Sequence, residues 1–372
     1  MIVIKEITSK KEMKQFVKFP FSLYKNNKYW VPPIIKDELA TFDKTQNPVF
    51  KQADATFLLA YKNNKIVGRL IAIINRYEVE LQNIKKMRFG WFDVIDDIEV
   101  SKALLNRVKE IGVQNNLKYI EGPIGFNNLD KTGVLTDGFD HIGTMITWYN
   151  HPYYKEHLEQ LGFIKEKEYL EHKFKYDHQS FSRYKRFSAL IKEKYQLTSM
   201  NFTSSKQIMP YVDEMFELFS KTYSKLSTYV PISDEQIEYF KNKYISFINP
   251  EYIKFIKDKD DKLIAFAIVM PSFSEALQKA NGKLFPFGIF HLLKARKSSK
   301  NVTFYLIGVE PEYQNKGVTA IIFDEFMQVF QQKGIEYCIR TPELEENEAI
   351  QKIWKVFNPI VHKRRRTYRL DL

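Results

Sequence analysis

The chain has 372 residues, 44% of them hydrophobic and 15% aromatic, which fits two domains with packed cores and excludes a largely disordered protein. Its single cysteine, Cys338, excludes an internal disulfide framework, a cysteine-based zinc site and a CxxC redox pair. The net charge of +12 would suit nucleic acid, anionic lipid or a polyphosphorylated small molecule. The densest basic run, HKRRRTYR at 362–369, alternates like a strand with one solvated face, and no nucleic-acid-binding motif accompanies it, so nucleic acid is the least favoured partner.

The chain shows no segment that would direct it out of the cytoplasm. Its first residues, MIVIKEITSKKEMKQF, carry early charges at Lys5 and Glu6 and lack the apolar run of a signal peptide. No run approaches the roughly 18 apolar residues of a membrane span. A reducing compartment also fits the lone cysteine, so we expect a cytoplasmic protein that is soluble or lies at the inner face of the membrane.

The predicted elements form an internal repeat. Each copy contains a β-run with helices, an antiparallel hairpin, a helix followed by a strand, and a further aromatic-bearing helix. The first copy has them at 2–18, 55–74, 101–124 and 151–163, and the second at 196–225, 251–270, 318–341 and 347–357. The pattern predicts duplication of one mixed α/β unit, with a chance recurrence of common α/β elements as the alternative.

The repeat predicts two domains of α/β class, each a twisted, mixed, largely antiparallel sheet flanked by helices. We place the first domain at 1–175, a charged helical linker at 176–195 and the second domain at 196–372.

The connection between the strand at 302–309 and the next helix has the features of an anion site. The run VTFYLIGV is β-branched and aromatic, the turn Gln314–Gly317 is polar, and apolar residues recur at helical spacing from Val318 onward. The first amides of a helix are unpaired and lie at the positive end of its dipole, which attracts anions. Here Gly317 permits close approach of a ligand to the backbone, and Lys316 adds positive charge. The turn therefore predicts a pyrophosphate site, with an ordinary strand-to-helix connection as the alternative, although neither GxxxxGK[ST] nor GxGxxG is present.

This stretch resembles the acyl-CoA-binding motif of the GNAT superfamily of N-acyltransferases, V-x-P-x-[YF]-[QR]-x-x-G-x-[GA]. The matching residues are Val309, Pro311, Tyr313, Gln314 and Gly317, while Thr319 replaces the small last residue. The resemblance covers 196–372 in motif and element order, and 1–175 in element order alone. It implies two tandem GNAT-like domains, acetyl-CoA or a longer acyl-CoA as co-substrate, and no metal.

The resemblance also implies which residues would contact the cofactor. Pantetheine would lie along Leu306, Ile307, Gly308 and Val309, and the phosphates on Gln314, Asn315, Lys316, Gly317, Val318 and Thr319. Asn347, at the start of the next helix, matches a family asparagine that helps to hold the cofactor; a plain N-cap is the compatible alternative.

Amide formation from a thioester needs a base for the amine, donors for the oxyanion and a proton for the leaving thiolate. A backbone N–H of the strand ending at Val309 can serve the oxyanion. Glu343, just after the strand IEYCIRT, is the first candidate base, and Glu310 is the second, although its neighbour Pro311 is expected to point it outward.

The proton donor of the family is absent. The family usually has a tyrosine seven residues after the helix-opening asparagine, and here that position is Trp354, which has no acidic proton to give. This leaves Tyr305, water, or no catalysis. Cys338 lies inside a predicted buried strand and is interpreted as a core residue.

The first copy lacks the motif. Its equivalent stretch, WFDVIDDIEVSKALL at 91–105, carries Asp93, Asp96, Asp97 and Glu99, and these carboxylates would repel a pyrophosphate. The sequence therefore predicts one CoA site for each chain, in the second copy.

Two further segments are candidates for binding the acceptor or a membrane. The loop at 121–140 places Phe126, Asn127, Asn128 and Asp137 where an acceptor pocket would lie, with a structural loop as the alternative. The segment 284–297 is apolar and then basic, which suits a membrane-surface helix or an acyl-chain lid, with an inter-domain packing helix as the alternative. No His, Asp or Glu cluster has metal-ligand spacing, so no metal is expected.

Together these features predict an acyl-CoA-dependent N-acyltransferase that acts on an amine of a small molecule, a lipid or another bulky acceptor. The tandem arrangement is similar to Fem-type aminoacyltransferases and N-myristoyltransferases. It is also similar to long bacterial GNAT-like proteins related to enzymes that acylate sphingoid amines. The alternatives are a non-catalytic acyl-CoA-binding or regulatory protein and a peripheral membrane protein.

Overall fold

The computed structural model describes residues 1–226, 229–245 and 248–372, and the chain divides into two compact units. The first unit comprises Met1–Leu170, Ser274–Leu292 and His362–Leu372. The second comprises Glu171–Phe273 and Leu293–Val361.

The strands are β1 (Ile2–Glu6), β2 (Ala53–Lys62), β3 (Lys65–Asn75), β4 (Lys86–Val94), β5 (Tyr119–Gly122), β6 (Val134–Asp137), β7 (Ile164–Lys175), β8 (Thr198–Asn201), β9 (Ile253–Lys257), β10 (Leu263–Pro271), β11 (Asn301–Val309), β12 (Tyr337–Arg340), β13 (Glu343–Leu344) and β14 (Ile360–Asp371). The helices are α1 (Lys10–Leu23), α2 (Ile35–Thr41), α3 (Ile98–Gln114), α4 (Tyr153–Gln160), α5 (His178–Tyr195), α6 (Ser205–Ile208), α7 (Val212–Tyr223), α8 (Asp234–Phe240), α9 (Ser274–Ala280), α10 (Gly288–Ser298), α11 (Val318–Lys333) and α12 (Glu348–Trp354). Short 3₁₀ helices lie at Pro48–Lys51, Met209–Tyr211, Pro250–Tyr252, Pro311–Tyr313 and Lys355–Phe357, and π-type turns at Tyr77–Leu81 and Lys241–Ile245.

In the first unit, β1, β2, β3 and β4 pair antiparallel in that order, and β5 adds in parallel to β4. The β2–β3 hairpin is buried on both faces, because alternate residues enter two separate cores. Leu58 and Leu70 pack with Leu104 of α3 on one face, whereas Leu59 and Ile71 enter the core that contains Phe16, Trp91 and Phe126 on the other. The C-terminal strand β14 completes this sheet by pairing antiparallel with both β5 and β6.

In the second unit, β8, β9, β10 and β11 pair antiparallel in sequence order, β12 adds in parallel to β11, and β7 pairs antiparallel with β12. Helix α11 covers the sheet through apolar residues at helical spacing, including Ile322, Phe326 and Phe330, which pack against Ala267 of β10. The helix ends at Gly334, whose left-handed φ of +61° closes the last turn. Both units thus confirm the predicted mixed α/β class with sheets flanked by helices.

The predicted element order is confirmed, but the units differ from the expected domains. Residues 176–195 do not form a linker, because α5 packs within the second unit, where Tyr184 contacts the Phe323 ring at 5.1 Å and Lys192 pairs with Glu325 at 2.7 Å. The first unit also contains the segment Ser274–Leu292 and the end of β14. These two segments lie far from 1–175 in the sequence, so no local sequence pattern predicts that they join the first unit.

The basic run at 362–369 lies in β14 and alternates between buried and partly exposed residues, as the sequence predicts, but basic residues also occupy its buried face. Lys363 and Arg365 are each 1% exposed. Lys363 Nζ donates to the Ile142 carbonyl at 2.7 Å, and Arg365 Nη1 donates to the Trp148 carbonyl at 2.6 Å. These basic residues therefore hold the strand inside the first unit.

Candidate functional site

The turn between β11 and α11 uses two residues with left-handed backbone. Asn315 has a φ of +62° and Gly317 a φ of +81°. Asparagine and glycine adopt this conformation most readily, since other side chains clash with their own backbone there. A Cβ at position 317 would also lie 3.2 Å from Ile191 Cδ1 of α5. The chain reverses sharply at this point, and α11 begins at Val318.

Several amides of this turn have no acceptor among the described residues. Ala320 N donates to the Gly317 carbonyl at 2.9 Å. In contrast, the amides of Asn315, Gly317, Val318 and Thr319 donate to no acceptor within the part of the chain that the structure describes. They gather at the positive end of the dipole of a 16-residue helix. This arrangement is suited to the oxygens of a phosphate or pyrophosphate.

Two side chains complete the turn. Gln314 Nε2 donates to the Val309 carbonyl at 3.0 Å, which ties the turn to the end of β11. Lys316 Nζ lies 4.8 Å from the centre of the Tyr313 ring and 5.4 Å from that of Tyr195. The two rings hold this ammonium group beside the unpaired amides, where it adds positive charge.

Next to the turn, the two central strands of the second unit separate. Parallel pairing of β11 with β12 runs only from Asn301 to Phe304. The last links are from Thr341, whose N donates to Phe304 O at 3.2 Å and whose Oγ1 donates to Tyr305 O at 3.4 Å. The register with β10 slips at Tyr305, which is therefore the extra residue of a bulge that bends β11 away from β12.

Beyond the bulge, β11 has an open edge. Glu310 N donates to Ile264 O at 2.8 Å, so the backbone groups of Glu310 face β10. Along an antiparallel strand, the backbone N–H and C=O groups of successive residues point alternately toward the partner and away from it. The backbone groups of Ile307 and Val309 therefore face away from β10. The Ile307 carbonyl accepts from the Tyr223 hydroxyl at 3.3 Å, and the Val309 carbonyl accepts from Gln314. The N–H groups of Ile307 and Val309 face the same edge, where the described part of the chain offers them no loop or side-chain acceptor.

No family model matches the chain. The chain is similar to Protein YghO of Escherichia coli (strain K12), with 26% identity over 377 residues that cover 98% of this chain and 94% of that protein. It is also similar to a bacterial ceramide synthase of Caulobacter vibrioides, with 22% identity over 163 residues that cover 44% of this chain and 42% of that one. Among solved structures, a tandem GNAT protein from the clavulanic acid biosynthesis pathway superposes with a TM-score of 0.58 at 9% identity, over 100% of this chain and 98% of that one.

The chain has the fold of a tandem GNAT protein. The expected order of hairpin, strand, turn and helix is thus confirmed for the second GNAT unit, and the sheet and helices of the first GNAT unit follow the same order.

The first GNAT unit fills the equivalent helix start with its own carboxylates. Asp97 caps α3 by accepting from Glu99 N at 3.1 Å, and it pairs with Lys62 at 2.7 Å. Asp93 is buried in an ion pair with Arg69 at 2.7 Å, and Asp96 Oδ1 lies 3.3 Å from His157 Nε2. A phosphate at this helix would have to displace a bonded carboxylate, which supports the prediction of a single CoA site in the second unit.

The two candidate bases lie in ion pairs. Glu343 Oε1 accepts from Arg340 Nε at 2.9 Å, and the guanidinium of Arg340, itself 1% exposed, stacks 5.1 Å from the Trp354 ring centre. The carboxylate of Glu343 is thus engaged by Arg340, and its role as a base stays a prediction. Glu310 does not point outward as expected; it is 2% exposed and pairs with Lys221.

Trp354 belongs to the core of the second GNAT unit. Its ring lies 4.7 Å from Phe304 and 4.9 Å from Phe323, and the residue is 1% exposed. Cys338 is fully buried, and burial raises the pKa of its thiol well above the usual value, as expected of a core residue. The position of the family tyrosine is therefore occupied by a packing residue.

Tyr223, which the sequence analysis did not single out, places its hydroxyl at this site. Its hydroxyl donates to the Ile307 carbonyl at the open edge of β11, and burial raises its pKa to about 12. It ends α7, an amphipathic helix in which nothing distinguishes it from the other aromatic residues. Tyr305 lies at the bulge of the same edge, and its chemical role stays a prediction.

Asn347 is the N-cap of α12, since its Oδ1 accepts from Ile350 N at 3.4 Å. The structure thus shows the capping role, and the cofactor contact stays a prediction.

Three of the predicted acceptor residues, Phe126, Asn127 and Asn128, lie in one structural loop, and the fourth, Asp137, ends β6. Phe126 is 1% exposed within the core, and both its amide and that of Asn127 donate to Asp130 Oδ2, at 2.9 and 3.1 Å. Asn128 lies in the same loop, and Asp137 is an exposed residue that accepts from its neighbour Gly138. The expectation that these side chains line a pocket is wrong for Phe126, because its ring packs against Trp91 at 5.5 Å.

The segment 284–297 exposes its aromatic side chains. Phe285, Phe287 and Phe290 are 75%, 71% and 66% exposed, and the basic residues of α10 follow them in sequence. None of the helices that the structure describes is long and apolar enough to cross a bilayer. Among the described residues, no cluster of His, Cys, Asp or Glu side chains could hold a metal ion.

Proposed function

We propose that the chain is an acyl-CoA-dependent N-acyltransferase whose CoA site is formed by Gln314–Thr319 and by the open edge of β11 at Leu306–Val309. The observation that carries this proposal is the joint presence of unpaired amides at the start of α11 and an unpaired strand edge beside them. The first suits a pyrophosphate, and the second suits the amide groups of pantetheine.

The reaction would join the amine nitrogen to the thioester carbonyl carbon and break the C–S bond. In the tetrahedral intermediate the oxyanion would accept from a backbone N–H of Ile307 or Val309, which face the open edge. The leaving thiolate would take a proton from the Tyr223 hydroxyl. The proton that the amine releases would pass through solvent and restore the Tyr223 phenol. With Glu343 and Glu310 held in ion pairs, the amine is expected to enter in its neutral form or to lose its proton to water.

We propose a lipid amine of the sphingoid type as the acceptor. The partial similarity to a bacterial ceramide synthase supports this class, since ceramide is the amide of a sphingoid amine with a fatty acid. The exposed rings of Phe285, Phe287 and Phe290 offer a surface that could enter the membrane interface where such a lipid resides.

A second candidate function is acyl-CoA binding without catalysis. It is favoured by the packing role of Trp354 at the position of the expected tyrosine and by the ion pair that engages Glu343.

The two candidates are separated by thiol release from acetyl-CoA and palmitoyl-CoA in the presence of sphinganine, a polyamine or a lysine peptide. An enzyme would release CoA with at least one amine, and Tyr223→Phe would lower kcat by about 10²-fold or more while KM for acyl-CoA stays within a few-fold. Glu343→Gln is expected to change KM and kcat little if the variant folds. Binding of acyl-CoA without amine-dependent release would establish the non-catalytic alternative, and unchanged turnover in Tyr223→Phe would exclude that residue as the acid.

A further inference from the structure

The first GNAT unit carries an exposed aromatic patch on a fixed base. Two rings of the patch follow α9 and the third lies in the first turn of α10: Phe285, Phe287 and Phe290. Gln278 of α9 donates from Nε2 to the carbonyls of Lys28 and Trp30, at 2.8 and 3.0 Å. These bonds fasten α9 to the loop that follows α1, so an anchored segment presents the rings to solvent.

The same segment contacts α1 and α2 at Gly282. The Gly282 carbonyl accepts from Ile35 N at 2.9 Å. The Phe21 ring of α1 lies against this glycine, since a Cβ at position 282 would be only 2.6 Å from the ring. The aromatic patch begins at Phe285, and three residues of extended chain span at most about 11 Å. The patch therefore lies beside α1.

Lysines of α1 flank this contact. Lys18 and Phe21 share one face of the helix at i, i+3 spacing, and Lys14 lies one turn before Lys18 on that face. Lys25 follows the helix in a turn that its amide closes by donating to the Ser22 carbonyl at 3.4 Å. All three lysines are exposed. Ammonium groups thus line the helix face next to the aromatic patch.

Carboxylates are sparse around the patch. Within 10–41 and 274–287, the exposed acidic residues are Asp37 and Glu275. The exposed lysines of the same two stretches outnumber them: Lys10, Lys11, Lys14, Lys18, Lys25, Lys28, Lys36, Lys279 and Lys283. Exposed rings with an excess of cations are complementary to a bilayer with negatively charged headgroups, because rings enter the interface and cations stay at the phosphates.

We propose that this face docks the chain on a membrane that contains anionic lipid, with the aromatic patch in the interface and with Lys18 and Lys25 at the headgroup phosphates. The rings supply apolar contact that any bilayer can satisfy, whereas the lysines make the docking selective for negative charge. This inference extends the membrane contact of the proposed function from the rings to a set of cations. It does not depend on acyl transfer, because every residue that it uses belongs to the first unit.

The test is co-sedimentation of the full chain with vesicles of phosphatidylcholine alone and with vesicles in which part of this lipid is replaced by phosphatidylglycerol. Each lysine near an anionic surface strengthens binding about fivefold. We therefore expect the partition coefficient to be at least about tenfold higher on the anionic vesicles and to fall as salt is added. A double variant, Lys18→Gln with Lys25→Gln, should lose at least about tenfold on anionic vesicles and nothing on neutral ones.

The matched control is Lys109→Gln with Lys118→Gln, which removes the same charge from two exposed lysines on and just after α3. Helix α3 packs through Leu104 into one core of the first unit, whereas α1 packs through Phe16 into the core on the other face of the sheet. The control variant should therefore bind both kinds of vesicle nearly as the wild type does.

Equal binding of the wild type to neutral and anionic vesicles, or equal losses in the two double variants, would overturn the proposal. No binding to either kind of vesicle would also overturn it and would leave the aromatic patch to a protein partner. Thermal melting checks that each variant folds. Titration with acetyl-CoA should give the wild-type affinity in the Lys18→Gln, Lys25→Gln variant, so failure of the CoA site and failure of this face can be told apart.

Discussion

Replacing Gly317 with alanine tests how the CoA turn works. At a φ of +81°, a side chain strains the backbone by about 1–2 kcal/mol, and the new Cβ would approach Ile191 Cδ1 to 3.2 Å. The turn can relieve this strain only by rotating the backbone, which turns the amides of Gly317 and Val318 away from their present direction. Loss of one charge-assisted hydrogen bond to a phosphate is worth about 1.5 kcal/mol or more, so we expect the Kd for acetyl-CoA to rise at least about tenfold.

Gly334→Ala is the matched control, because Gly334 closes the other end of the same helix with a φ of +61°. Its new Cβ would meet only the side chain of Lys300, which can move. Both variants should therefore lower Tm by about 2–8 °C, as expected for 1–2 kcal/mol in a unit of this size. Affinity for acetyl-CoA, measured by isothermal titration, should fall in Gly317→Ala alone. Equal affinities of the two variants would refute the role of the turn amides.

Two further predictions concern stability and membrane contact. Burial alone would raise the pKa of Glu78, but Arg88 and Lys86 outweigh burial and hold this pKa at about 2, against an ordinary 4.5. The lowered pKa contributes about 3 kcal/mol to the free energy of unfolding. This contribution is present above pH 4.5 and is lost as the pH falls toward 2. Glu78→Gln leaves Arg88 and Lys86 buried without this carboxylate, so the free energy of unfolding should drop by about 3–5 kcal/mol at pH 7. In urea titrations, the variant should also lose less stability than the wild type as the pH falls below 4.5. An unaltered pH profile would contradict this prediction. Replacing Phe285, Phe287 and Phe290 with serine should abolish flotation with anionic liposomes while Tm stays within about 2 °C, and equal flotation would exclude this surface from membrane contact.

The sequence predicted the parts of the fold that are encoded locally. The β2–β3 and β9–β10 hairpins are visible as β-runs around polar turns, and the start of α11 is visible from the helical spacing that begins at Val318. The unit boundaries were not predictable in this way. Ser274–Leu292 and the end of β14 join the first unit through contacts with residues far away along the chain, and periodicity carries no information about such contacts.

The candidate site was predictable to a similar extent. The turn and the strand edge follow from a short motif, whereas the fate of each acidic group depends on its neighbours in space. Glu343 pairs with Arg340 and Glu310 pairs with Lys221, and the motif specifies neither contact. Tyr223 reaches the site from α7, so no spacing relative to the motif could reveal it.

The most direct test of the central claim is the stoichiometry of acyl-CoA binding to the intact chain, measured by isothermal titration with acetyl-CoA and with palmitoyl-CoA. The turn before α11 offers unpaired amides, and the equivalent helix of the first unit is capped by Asp97, so we predict one molecule per chain. A Lys316→Glu variant should lose most of this affinity. A stoichiometry of two, or no binding of either ligand at concentrations far above a micromolar Kd, would contradict the account.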